Sequence, residues 1–179
     1  MSQRGQTRGV LMAIAAVKEL DELAANPIDL IETFASAHGW AFDRGSENEL
    51  VIEVPGQWAD YRLFFSWLDE LWAIHFACAF DMNVPDHRRT SINELLARIN
   101  ERMAVGHFDL WAERGLPVFR QSTLLRGAKG LSVEQLEDLV EIALAECERF
   151  YPSFQYVIWG GKTPGDAVDA AMIDTVGEA

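Results

Sequence analysis

The sequence predicts an α+β fold, an antiparallel β-sheet with helices packed on it, in the order α-β-β-β-β-α-β-β-α, with an extra amino-terminal helix and a short carboxy-terminal helix. Three observations predict it. Trp58 to Met82 reads as two long strands joined by a tight turn at Leu68-Asp69-Glu70, with apolar groups on both faces, as in a central pair covered on two sides. Turn signals at Arg44-Gly45-Ser46 and Glu113-Arg114-Gly115 each separate short strand-like runs, which favours hairpins over long crossovers. Apolar residues at helical spacing then fill the stretches that follow Asn26, Pro85 and Ser132.

The amino end carries Arg4 and Arg8 before an apolar run from Val10 to Val17. That run stops at Lys18 and Glu19, far short of the ~20 residues of a membrane span, and no small-residue cleavage site follows it. Neither secretion nor membrane insertion is expected. Val10, Ile14 and Val17, widened by Leu11, make the apolar stripe of an amphipathic helical arm over residues 1–25, which either docks on its own domain or binds a partner.

Asn26-Pro27-Ile28-Asp29 starts the first helix of the domain, since Asn caps orphan amides, Pro suits the first turn and Asp meets the positive end of the dipole. Ile28, Ile31, Phe34 and Ala35 form its buried stripe, and Gly39 stops it. A short hairpin follows, Trp40-Ala41-Phe42 and then Glu49 to Val54, closed by Pro55-Gly56.

In the central hairpin, Tyr61, Leu63, Phe65 and Trp67 share one face of the first strand. The second strand has a bulky face, Trp72, Ile74, Phe76, Cys78 and Phe80, and a small-residue face, Ala73, His75, Ala77 and Ala79, shallow enough for another backbone to approach. A helix from about Asp86 to Ala104 places Ile92, Leu95, Leu96, Ile99 and Met103 inside and an Arg-rich, mixed-charge face outside. The second hairpin pairs His107-Phe108-Asp109-Leu110-Trp111 with the run from Leu116 to Leu124. Ser132-Val133-Glu134-Gln135 has the spacing of a capping box, and the apolar phase behind it runs unbroken past Pro152 to Ile158, giving one long helix kinked at Pro152 and stopped by Gly160-Gly161. A last helix begins at Thr163-Pro164. The domain is therefore bounded at 26–161, with 162–179 as a short helix and tail.

The 179 residues, 49% hydrophobic, suffice for one core without disulfides or metal. A net charge of -13 repels phosphate backbones and anionic lipid, so neither nucleic acid nor membrane is an expected partner. Cys78 and Cys147 read as buried apolar groups in a reducing, cytoplasmic setting. His38, His75, His87 and His107 lack metal-ligand spacing, Gly160-Gly161-Lys162-Thr163 lacks the first glycine of a phosphate loop, and no serine sits in a nucleophile elbow. No catalytic, metal or cofactor-binding residue is assigned, and no cofactor is expected.

The strand end Glu53-Val54, the hairpin ending Phe76-Ala77-Cys78-Ala79-Phe80, the helix Leu95-Leu96-Ala97-Arg98-Ile99-Asn100, the strand from Gly106-His107-Phe108 and the final helix with Tyr151-Pro152 resemble the YbjN-domain family of bacterial regulators over about residues 27 to 160. The resemblance implies a fold similar to type III secretion chaperones, usually dimeric, and carries over no catalytic residues. A non-enzymatic, chaperone-like or regulatory protein-binding module acting as a homodimer is the expectation. Its partner-binding residues would be Val10, Leu11, Ile14 and Val17 on the arm and Ala73, His75, Ala77 and Ala79 on the sheet. Two alternatives differ in class: an enzyme using His75 with a carboxylate such as Asp60 or Asp109, and a purely structural homodimer.

Overall fold

The computed structural model describes residues 26–174, so the arm stripe of Val10, Leu11, Ile14 and Val17 lies outside the described residues. From Asn26 onward the elements are α1 (Pro27–His38), β1 (Ala41–Ser46), β2 (Glu49–Pro55), β3 (Asp60–Leu68), β4 (Ala73–Phe80), α2 (Arg89–Asn100), β5 (His107–Trp111), β6 (Leu116–Leu124), α3 (Val133–Ile158) and α4 (Pro164–Asp174). Six antiparallel strands form one sheet in the order β1-β2-β3-β4-β6-β5, the α+β class that the sequence predicts.

The caps explain why these elements begin and end where they do. Asn26 Oδ1 accepts from the Ile28 amide at 2.9 Å, and Gly39, at φ 68°, closes α1 in the left-handed conformation. Ser132 and Gln135 form the reciprocal capping box, the Gln135 amide donating to Ser132 Oγ at 3.1 Å and the Ser132 amide to Gln135 Oε1 at 3.0 Å. Pro152 lies inside α3, which continues to Ile158.

Three regions depart from the sequence expectation. Arg44-Gly45-Ser46, expected to be the turn of the first hairpin, lies inside β1, where Arg44 pairs with Leu50 and Ser46 with Glu49, so the chain turns at Glu47-Asn48. The helix after Pro85 is a 3-10 turn, Asp86–Arg88, followed by α2, which ends at Asn100 instead of reaching Ala104. The reason is visible in Asn100: its side chain donates to the Phe108 carbonyl at 2.9 Å and accepts from the Phe108 amide at 2.8 Å, pairing with β5 as a neighbouring strand would. The central hairpin also turns later than expected. A 3-10 turn occupies Asp69–Leu71, and Trp72 ends it at φ 50°, so Trp72 is a turn residue and β4 starts at Ala73.

The described chain divides into two compact units. One holds 26–54, Arg62–Phe76 and Ser122–Val140; the other holds Pro55–Tyr61, Ala77–Gln121 and 141–174. In the first unit Ile28, Ile31 and Phe34 of α1, Leu50 and Ile52 of β2, Leu63 and Phe65 of β3 and Phe76 of β4 are buried, with the Phe65 and Phe76 rings 4.8 Å apart. In the second, Phe80, Phe108, Phe150 and Phe154 form an aromatic cluster with centroids 5.1 to 5.9 Å apart, mostly edge to face. Gly106 leads into β5 at φ 68°, where a side chain would run into the Phe119 ring.

Candidate functional site

The small-residue face of β4 is not open. Ala73, Ala77 and Ala79 are buried, as are Ile74, Phe76, Cys78 and Phe80, so this strand is covered on both faces. His75 is half-buried with Nδ1 3.0 Å from Ser122 Oγ. Asp109, one of the two carboxylates weighed as its partner, pairs instead with Arg120 at 3.2 Å. A backbone seeking an accessible apolar surface finds it elsewhere.

That surface is the turn end of the β3–β4 hairpin. Leu71 is 63% exposed, Trp72 55% and Leu124, at the end of β6, 75%. Leu68 adds a further exposed apolar group. Large apolar side chains in one place in water are unfavourable unless something covers them, whereas single exposed ones are ordinary. Beside them Glu70, Leu71, Trp72, Arg126, Gly127 and Ala128 line an open cleft of about 620 Å³.

The backbone holds this surface in place at a cost. Trp72 is the one non-glycine residue with positive φ among the described residues, and its ψ of 54° puts it squarely in the left-handed helical region. A bulky side chain there costs on the order of 1–3 kcal/mol. The Trp72 amide donates to the Asp69 carbonyl at 3.2 Å, its carbonyl accepts from the Leu125 amide at 2.7 Å, and its ring meets Trp67 edge to face at 6.0 Å. The Trp67 amide in turn donates to the Asn48 carbonyl at 2.8 Å, and Asn48 Nδ2 donates to Asp69 at 2.7 Å. The turn is thus pinned from three directions while its apolar side chains face solvent.

Two other clusters, both in the second unit, read as interior chemistry. Cys78 and Cys147 are reduced, buried and 3.5 Å apart; burial first, and then the neighbouring Cys78 thiol, pushes the Cys147 thiol well up, which makes it a poor nucleophile. The sequence reading of two small buried groups holds, and their meeting was not foreseen. Tyr61 is fully buried with its hydroxyl unpartnered, close to Glu148, whose Oε2 is also buried without a hydrogen bond. Burial, and then the charge of Glu148, pushes the Tyr61 hydroxyl far above its ordinary range, so it stays protonated. Among the described residues no three His, Cys, Asp or Glu side chains are placed to hold a metal, and no helix is long and apolar enough to cross a membrane.

On the Arg-rich face of α2, Arg89 pairs with Asp86 at 2.9 Å and Arg98 with Glu94 at 2.9 Å, the spaced ion pairs of a wet helix face. Sequence reasoning missed Leu71, Trp72 and Leu124. A signal was present: Leu-Trp directly after Asp-Glu puts two large apolar residues where turn chemistry favours small or polar ones.

The YbjN family model, described as "Putative bacterial sensory transduction regulator", matches residues 27–156. Among solved structures, the chain is similar to that of YbjN, described as "a putative transcription regulator from E. coli", at 16% identity and a TM-score of 0.51, covering 70% of this chain and 89% of that one. No curated protein sequence matches. At that identity the structural likeness speaks for the fold.

Proposed function

The chain belongs to the YbjN family, and from that premise we propose that it is a non-enzymatic regulatory module that binds protein, with the turn end of the β3–β4 hairpin as its docking surface. The observation that carries the reading is the exposure of Leu71 and Trp72 at a turn whose backbone is strained at Trp72, with Leu124 exposed at the end of β6 next to Leu125, whose amide donates to the Trp72 carbonyl. Strain kept at a surface is a mark of recognition more than of folding. The partner fitted by this chemistry is an apolar segment of a protein flanked by charges of both signs, since Glu70 and Arg126 both line the cleft beside Leu71 and Trp72.

The test compares the full chain with a Leu71→Ser, Leu124→Ser variant, each purified under native conditions from the cells that make it. A stoichiometric protein that accompanies the parent and is lost from the variant, at an unchanged urea midpoint, is the expected result. Retention of the same protein by the variant would refute the assignment of the surface.

The reading also takes the module as a homodimer in the cytoplasm. Its support is the exposed apolar surface that a single chain leaves, which in the second unit includes Trp58 and Trp159. Sedimentation at micromolar concentration should give the mass of two chains, and a monomer would remove this part of the proposal.

A further inference from the structure

We propose that Cys78 and Cys147 form an oxidation site: a small peroxide, seated between Tyr61 and Glu148, converts the two thiols into a disulfide that ties α3 to β4, and a dithiol reductant reverses it.

The geometry is close to what the reaction needs. Cys78 of β4 and Cys147 of α3 are reduced and fully buried, with their Sγ atoms in contact at 3.5 Å. They stand 69 residues apart and are the two cysteines of the chain, so folding brings them together and no third thiol competes. An S–S bond is ~2 Å long, and closing the gap asks for a small shift of two side chains. The Cys147 thiol donates to Cys78 Sγ, which leaves the Cys78 sulfur to act as the electron-pair donor. Burial holds the Cys147 proton in place, which suits Cys147 to the second step of the reaction and not the first.

Beside the thiols lie two polar atoms without a hydrogen bond. The Tyr61 hydroxyl and Glu148 Oε2 are both buried and unpartnered, and the groups that bear on the Tyr61 hydroxyl besides its burial are Glu148, Cys147 and Cys78. A donor and an acceptor left open next to a thiol pair fit one small group that accepts from the phenol and donates to the carboxylate, as a peroxide O–H does. Glu148 also links this spot to the surface. Its Oε1 accepts from the amide of exposed Gln57, and the loop packs so closely that a side chain at Gly56 would run into the Tyr61 ring and the Glu148 carboxylate. Local opening of that loop admits a molecule of the size of hydrogen peroxide without unfolding the core.

The Cys78 sulfur attacks one peroxide oxygen, the O–O bond breaks, and the departing oxygen takes up the Cys78 thiol proton and leaves as water, with Cys78 now a sulfenic acid. The Cys147 sulfur then attacks the Cys78 sulfur, the S–S bond forms, and the sulfenic oxygen leaves with the Cys147 proton as a second water. The two thiols lose two electrons and the peroxide gains them.

The experiment treats the purified, reduced protein with hydrogen peroxide at neutral pH, quenches it with iodoacetamide in denaturant, and reads the intact mass and the peptide map. The chain should lose the mass of two hydrogens, both cysteines should be closed to iodoacetamide in one linked peptide pair, and dithiothreitol should restore both. Cys147→Ser stops the reaction after its first step, so dimedone should trap a sulfenic acid at Cys78, whereas Cys78→Ser should yield no dimedone adduct. Tyr61→Phe keeps both thiols and should slow disulfide formation about tenfold, the rate equivalent of about 1.4 kcal/mol. Thiols that stay open to alkylation, disulfides that join two chains, or a parent rate that rises in step with the unfolded fraction across low urea would overturn the inference. So would a rate that Tyr61→Phe leaves unchanged, because the peroxide would then have no seat beside the thiols.

Discussion

The turn end of the β3–β4 hairpin and the aromatic cluster of the second unit use large apolar side chains in opposite ways. Around Phe108 each ring is buried against other rings, and the local backbone serves the packing: Gly106 leaves room for Phe119, and Asn100 satisfies both main-chain groups of Phe108. Around Trp72 the backbone is strained and the side chains remain half or more exposed. Evidently the first arrangement lowers the free energy of the fold, whereas the second raises it. A region that costs stability and keeps apolar area in water has to be accounted for by something outside the folded domain, and docking supplies that account.

The comparison can be broken most severely at Phe108. Phe108→Ala should destabilise the chain by about 3–5 kcal/mol, as truncating a fully buried ring does, measured by urea unfolding. A loss below about 1 kcal/mol would mean that the cluster is not the stabilising half of the contrast.

At Trp72 the prediction sharpens it. Both Trp72→Gly and Trp72→Ala remove the ring and its contact with Trp67, but only glycine relaxes the left-handed backbone. The glycine variant should be more stable than the alanine variant by about 1 kcal/mol in the same unfolding experiment. Equal stabilities would show that no strain is held there.

A smaller effect is expected at Tyr61. Its hydroxyl is buried without a partner, so Tyr61→Phe should be neutral or stabilising by up to about 1 kcal/mol near neutral pH. The sign with pH follows from the direction of its shift. The folded state binds the phenolic proton more tightly than the unfolded chain does, so the stability linked to it is fully present below the unfolded pKa of about 10 and is lost as pH rises above that value. Tyr61→Phe should remove that alkaline loss; an unchanged alkaline profile would place the linkage on another group.

Much of the fold was legible because its signals are local. Asn26, Gly39 and the Ser132 to Gln135 box each act within one turn of helix, and each is found doing what its residue type does in a cap. The unbroken apolar phase through Pro152 likewise gave one helix, since a phase slip would have rotated Phe154 and Val157 out of the core in which they are buried. The end of α2 was not legible, because what stops the helix is the engagement of Asn100 with Phe108, a contact across a loop. The candidate site was read least well. Alternation assigned Trp72 to the strand and Ala73, Ala77 and Ala79 to an open face, but alternation carries no information on what lies above a face, and small side chains are easily buried by larger neighbours. The later turn, one residue further along the chain, took Trp72 out of the ladder and made it part of an exposed surface.

The docking account is tested most directly by irradiating cells that produce the chain with a photoreactive benzophenone side chain at Leu71, in the parent background and with Leu124→Ser. The account predicts a discrete adduct with another protein that shrinks with Leu124→Ser, while the same probe at exposed Trp159 gives none of that species. Absence of any protein adduct at Leu71 in both backgrounds, or an identical adduct at Trp159, would contradict it.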